Sequence, residues 1–228
     1  MEQRPILSAG TGAGRRDALV TLDDFRSAFD SVARLDGGGF LPVARQRGDH
    51  DLNPGMSTPD KLRSAAVLVP IVGRDDGLTV LLTRRSDTLP VHTGQISFPG
   101  GRVEDDDVDD VETALRETEE EIGLGRDRVE VIGRLDTYTT RTGFEVTPVV
   151  GLIRPPFALT PDPVEVAEVF EVPLSFVLDT GNHERHSREW QETVRHFWVL
   201  PYQQYYIWGA TAGMLVNLAD VMLGALRR

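Results

Sequence analysis

The stretch GGRVEDDDVDDVETALRETEEEIGL, Gly100 to Leu124, sets a glycine pair and an acidic run ahead of a helix-forming segment. Val111, Leu115 and Ile122 recur at helical spacing, and Gly123 stands where a helix stop is expected. Four of the five residues Glu117 to Glu121 are glutamates. Positions i, i+3 and i+4 share a helix face, so Glu117, Glu120 and Glu121 form one patch and Glu119 points elsewhere. Converging carboxylates repel and push one another's pKa upward unless cations lie between them. Hard divalent ions such as Mg²⁺ or Mn²⁺ favour such an all-oxygen set. Arg116, directly before the patch, is expected to pair with an acid and hold the helix. Taken alone, the helix reads more readily as a solvated acidic face, the usual meaning of a charge run. A calcium loop in EDDDVDDVE is set aside, because the required glycine is missing from its sixth position.

Upstream, RSAAVLVPIVG and LTVLLTRR read as strands joined by the hairpin signal RDDG, and GQISFPGG as a short strand with a turn. Downstream, VEVIGRLDTYTT, FEVTPVVGLI and RHFWVLPY read as strands and PLSFVLD as a short helix. Ile207, Met214, Leu218 and Met222 mark a terminal helix. Near the start, Thr21 is a good N-cap for a helix over 22–35 carrying Phe25 and Phe29. A long Gly- and Pro-rich loop follows it. These elements predict an α/β (α+β) sandwich of mixed sheet and helices. The chain divides into an accessory N-terminal segment, 1–56, and a domain over 57–228 that includes the last helix.

The 228 residues carry a net charge of −12, so binding a nucleic-acid backbone by bulk electrostatics is not expected. There are no cysteines, which excludes disulfides, thiolate metal sites and thiol nucleophiles. No secretory signal or membrane-spanning run is visible, and a cytoplasmic setting is the default. Monomer and homodimer both stay open.

Gly100 to Leu124 strongly resembles the box of the Nudix hydrolases, with Arg116, Glu117, Glu120, Glu121 and Gly123 in register. One residue more than usual separates Gly101 from Arg116, and an aspartate replaces the first glutamate. Asp107 keeps the spacing from Gly101, whereas Asp109 is nearer the spacing to Arg116. The resemblance implies a Nudix fold and hydrolysis of a diphosphate linked to another group. It also implies Mg²⁺ or Mn²⁺ held by Glu117, Glu120, Glu121 and the carbonyl of Gly100.

LLTRRSDTLPVHTGQISFPGG, Leu81 to Gly101, is similar to the segment that marks the coenzyme A pyrophosphatase branch. That likeness implies a small-molecule substrate, coenzyme A or a derivative, contacted by Thr83, Arg85, Ser86, His92, Gly94 and Phe98. Arg85 suits phosphate, while His92 reads either as a phosphate contact or as a backbone partner. In PVEVAEVFEVPL, Glu165 and Glu168 are candidates for a further metal ligand or general base on a loop, and Glu168 is taken as catalytic. His183 and His186, three apart, are poorly spaced for joint ligation. A hydrolase of ADP-ribose or another nucleoside diphosphate derivative is the nearest rival reading. A non-catalytic Nudix-fold sensor is the more distant one, and the intact glutamates disfavour it.

Overall fold

The computed structural model describes residues 21–33, 47–88, 93–190 and 193–226, and the first of these form a reciprocal cap. The Thr21 hydroxyl accepts from the Asp24 N–H and the Asp24 carboxylate accepts from the Thr21 N–H, opening helix α1 (Leu22–Ala33). The order that follows is β1 (Arg47–Gly48), a 3₁₀ turn (Asp49–Leu52), β2 (Arg63–Arg74), β3 (Gly77–Arg85), β4 (Ile96–Ser97), β5 (Gly100–Arg102) and α2 (Asp110–Ile122). Next are β6 (Val129–Arg134), β7 (Tyr138–Thr139), β8 (Phe144–Ile153), β9 (Val166–Pro173) and α3 (Leu174–Leu178). The chain then runs through β10 (Glu184–Trp190), β11 (Thr193–Tyr202), β12 (Tyr205–Trp208) and α4 (Gly209–Leu226).

Strands β2 and β8 run parallel along Arg63–Val72 and Phe144–Ile153 and form the middle of a mixed sheet. The outer edge of β2 is shared between β5 and β3, and that of β8 between β7 and β6. Strand β9 adds to β3. Successive side chains of a strand face opposite ways, which divides β2 between two cores. Ala66, Leu68 and Val72 pack with Ala114 and Ile122 of α2. Ala65, Val69 and Ile71 pack with α1, α3, α4 and the smaller sheet β10–β11–β12. The sheet-and-helix sandwich expected from the sequence is the architecture observed.

Two elements depart from the sequence reading. The segment holding Glu168, expected as loop, is strand β9; its partner is β3, some eighty residues away, so no local signal marks it. The described part of the N-terminal segment is built into the domain. Phe25 and Phe29 are fully buried with ring centroids 6.2 Å apart, and β1 pairs with β7. Gly133 of β6 leaves room for the Phe29 ring, since a Cβ there would lie 2.7 Å from it. Asn53 donates to the His196 carbonyl and accepts from its N–H, joining this segment to β11.

Glu171 on β9 accepts from Arg74 and from the Thr79 hydroxyl, tying the β2–β3 hairpin to its neighbour. Burial pushes its carboxyl upward, but the hydrogen bonds from Arg74 and Thr79 outweigh burial and hold it below the usual glutamate range. A depressed carboxylate stabilises the fold above its unfolded pKa of about 4.3, and that stability is lost as pH falls through the folded value. Glu171→Gln should therefore lose less stability than the wild type between roughly pH 5 and pH 2. Equal acid slopes in urea titrations would refute this. Phe29→Ala should cost about 3–5 kcal/mol in the same titration at neutral pH. A cost under about 1 kcal/mol would mean that α1 is an appendage.

Candidate active site

The two aspartates that compete for one place in the sequence divide its work. Asp109 is the N-cap of α2 and accepts from the Glu112 N–H at 2.9 Å. Asp107 takes a two-pronged pair from Arg116 at 2.9 Å for each prong and also accepts from the Thr113 hydroxyl. The Arg116 guanidinium holds the Asp107 carboxyl far below the usual range, and Asp107 in turn raises Arg116. The remaining N–H groups of Arg116 reach the Arg102 carbonyl, Glu117 and Glu120 at 3.1–3.2 Å. At the far end Gly123 adopts φ 68 and donates to the Glu119 carbonyl, a left-handed stop that glycine tolerates. Glu119 points outward to Arg126, as expected.

Convergence of the three glutamates is partial. Glu121 is almost fully buried and accepts from the Gly100 N–H at 3.2 Å, with Arg85 at 3.7 Å from its other oxygen. Glu117 lies against Gly101, where a Cβ would fall 2.3–2.5 Å from its carboxylate. Gly100 has φ 150, and a Cβ there would strike the backbone of Ala66 and Val67. Both glycines are thus required for this approach. Glu120 is turned outward and its side chain is 60% exposed beside Arg116. Burial pushes Glu121 up to about 8 against the pull of Gly100 and Arg85. Burial also raises Glu117, against Arg116.

Among the described residues no three carboxylate or imidazole side chains already form a metal cage. The donor set nevertheless suits a hard divalent cation. Two desolvated carboxylates face one glycine turn, and bringing in positive charge would relieve their raised pKa values.

The loop before β9 brings in another acid. The N–H groups of Thr160 and Asp162 cap the C-terminal carbonyls of α2 at Ile122 and Glu121, and the Ser86 N–H donates to the Glu165 carbonyl. This anchoring sets Glu165 close enough for its charge to raise both Glu117 and Glu121. Glu168 is not brought to the cluster. It sits opposite Arg84 on β9 and accepts from the Tyr205 hydroxyl at 2.6 Å.

A cavity of about 580 Å³ opens beside Gly100 and Gly101. Arg85, Arg102, Arg141, Arg188 and Arg195 line it, a local excess of positive charge in an acidic protein. Asp49, Asn53 and Met56 supply one wall, and Phe197 and Trp208 another. Of the residues expected to contact substrate, Arg85 lines this cavity, whereas Thr83, Ser86, Gly94 and Phe98 do not. Thr83 is buried with its hydroxyl on Ser97, and Phe98 belongs to the core. The Ser86 hydroxyl bonds that of Thr88, and Gly94 turns the chain at φ 66. His92 lies outside the described residues.

His183 bonds the Val177 carbonyl, and His186 lies between Glu184 and Tyr206. The sequence does not single out Arg188 and Arg195, because alternation within NHERHSREW and TVRHFWV gives each a strand face and only the hairpin register sets them opposite each other.

The NUDIX domain model matches residues 61–204. An uncharacterized Nudix hydrolase, NudL, of Photorhabdus laumondii is 43% identical over 170 residues, 73% of this chain and 89% of that protein. NudL of Escherichia coli K12 is 39% identical over 201 residues, 88% of this chain and 94% of that protein. Among solved structures, the Mycobacterium smegmatis Nudix hydrolase RenU aligns over 71% of this chain and 86% of its own with a TM-score of 0.50. At 20% identity that likeness speaks to the fold alone. No helix among the described residues is long and apolar enough to cross a membrane. With the family model covering more than half the chain and its box built around Arg116, this protein belongs to the Nudix hydrolase family.

Proposed function

We propose that the chain hydrolyses the diphosphate of coenzyme A or an acyl-coenzyme A, giving 3′,5′-ADP and 4′-phosphopantetheine or its acylated form. The observation that carries this reading is the arginine-lined cavity opening at the Gly100–Gly101 turn, against which Glu121 and Glu117 lie. A diphosphate at its mouth would meet Arg85, whose planar fork pairs phosphate oxygens. The cavity beyond has both charge and aromatic surface for the nucleotide end. The upstream resemblance over Leu81–Gly101 supports the same substrate.

Glu117, Glu120, Glu121 and the Gly100 carbonyl would hold Mg²⁺ or Mn²⁺. When bound, such ions neutralise phosphate oxygens and lower the pKa of an attacking water. Arg116 fixes the position of Glu117 and Glu120, and the Asp107 pair fixes Arg116. Glu165 takes the role of proton acceptor from the attacking water, because the hydrogen bonds of Thr160, Asp162 and Ser86 anchor its loop at the end of α2 that carries Glu121. Arg85 holds the diphosphate in line.

Mass-spectrometric product analysis with Mg²⁺ tests the reading. The expected products are 3′,5′-ADP and 4′-phosphopantetheine, and a clear preference for ADP-ribose over coenzyme A would overturn it. Glu121→Gln should lower turnover at least about a hundredfold, the rate equivalent of some 3 kcal/mol of lost charge stabilisation. An unchanged rate would move the metal site elsewhere. Gly101→Ala should reduce turnover through the displaced Glu117 carboxylate. Wild-type turnover in that variant would show that Glu117 needs no such close approach.

A further inference from the structure

The hairpin of β10 and β11 contains an arrangement that folding alone disfavours. Arg188 and Arg195 are directly opposite in the antiparallel register. Side chains so placed have Cβ atoms about 4.5–5.5 Å apart, and like charges there repel. The chain has 36 acidic residues to draw on, yet among the described residues neither guanidinium has a carboxylate within ion-pair distance. One terminal nitrogen of Arg195 is buried without a hydrogen-bond partner. Both arginines line the cavity that opens at Gly100 and Gly101. Phe197 and Trp208 line it too, in edge contact with ring centroids 5.5 Å apart.

We propose that Arg188 and Arg195 form a phosphomonoester subsite that recognises a second phosphate, separate from the diphosphate, on the nucleotide end of the substrate. Two guanidinium forks match a terminal phosphate, which carries a charge between about −1.5 and −2 at neutral pH. A singly charged carboxylate would leave their repulsion only half relieved. The scissile diphosphate belongs at the glutamates and Arg85, on the larger sheet, so a pair on the smaller sheet serves a different group. The neighbouring rings of Phe197 and Trp208 give apolar surface for the attached base. This inference rests on the diphosphate-hydrolase reading for where the substrate lies, and it names the residues that set specificity within that reading.

Calorimetric titration of the metal-free protein separates the two ideas, since it needs no turnover. Adenosine 3′,5′-bisphosphate should bind at least about tenfold more tightly than 5′-AMP, the margin of one charged hydrogen-bonding group. Arg188→Ala and Arg195→Ala should each erase that margin and leave AMP binding unchanged, while Arg195→Lys should keep part of it. In steady-state assays with Mg²⁺, the same alanine variants should raise KM for coenzyme A but not for dephospho-coenzyme A, with kcat held. Equal binding of the two nucleotides by the wild type, or variants that lose both alike, would overturn the subsite. If the wild type cleaves neither cofactor while the margin persists, the coenzyme A reaction falls and the subsite stands. If it cleaves both equally with no margin, the subsite falls and the reaction stands.

Discussion

The clamp of Arg116 on Asp107 is the interaction on which the site depends. Arg116 is fixed from one side by both oxygens of a buried carboxylate and from the other by the Arg102 carbonyl. Its remaining N–H groups are thereby aimed at Glu117 and Glu120, so one side chain joins β5, the acidic loop and α2. Arg116 is thus saturated by its partners. Glu121 is left with a single backbone N–H and a more distant Arg85, and the burial cost falls mainly on it. The helix holds its three carboxylates in three settings, Glu121 buried, Glu117 half-buried and Glu120 exposed, with counter-charges unequally placed among them.

Much of this was legible in the sequence where the signal is local. The apolar spacing of α2, the Gly123 stop and the outward turn of Glu119 all follow from residues a few positions apart. Strand β9 was not legible. VAEVFEVP alternates weakly, carries two glutamates, and becomes a strand only by adding to the distant β3. The same limit applies to the placing of Glu165 and Glu168. Which of two glutamates three residues apart reaches α2 depends on the hydrogen bonds of Thr160, Asp162 and Ser86, none of them readable from spacing. The N-terminal helix was found from Phe25 and Phe29, but their packing against Gly133 is a contact across a hundred residues.

The residues upstream of the glycine pair show how a motif can act without contact. Thr83 and Phe98 are inside the protein, and Ser86 uses its backbone N–H to hold the loop of Glu165. Their identities serve burial and a turn, while Arg85 between them is exposed to the cavity. A run of residues can therefore shape the frame around one side chain that reaches the cavity. The arginines of the smaller sheet are the reverse case: their spacing is ordinary and only the strand register sets them face to face.

The side chain of Asn53 gives the N-terminal segment a further consequence. Strand β12 covers β11 only from Val199 to Tyr202, so the backbone of His196 on that side would otherwise be an open edge. The Asn53 amide fills it, donating and accepting as a neighbouring strand would. Open strand edges invite pairing with another chain. The segment before the sheet thus has a second part in the structure: it keeps a cavity wall in place and also closes a strand edge that would otherwise stay open to another chain.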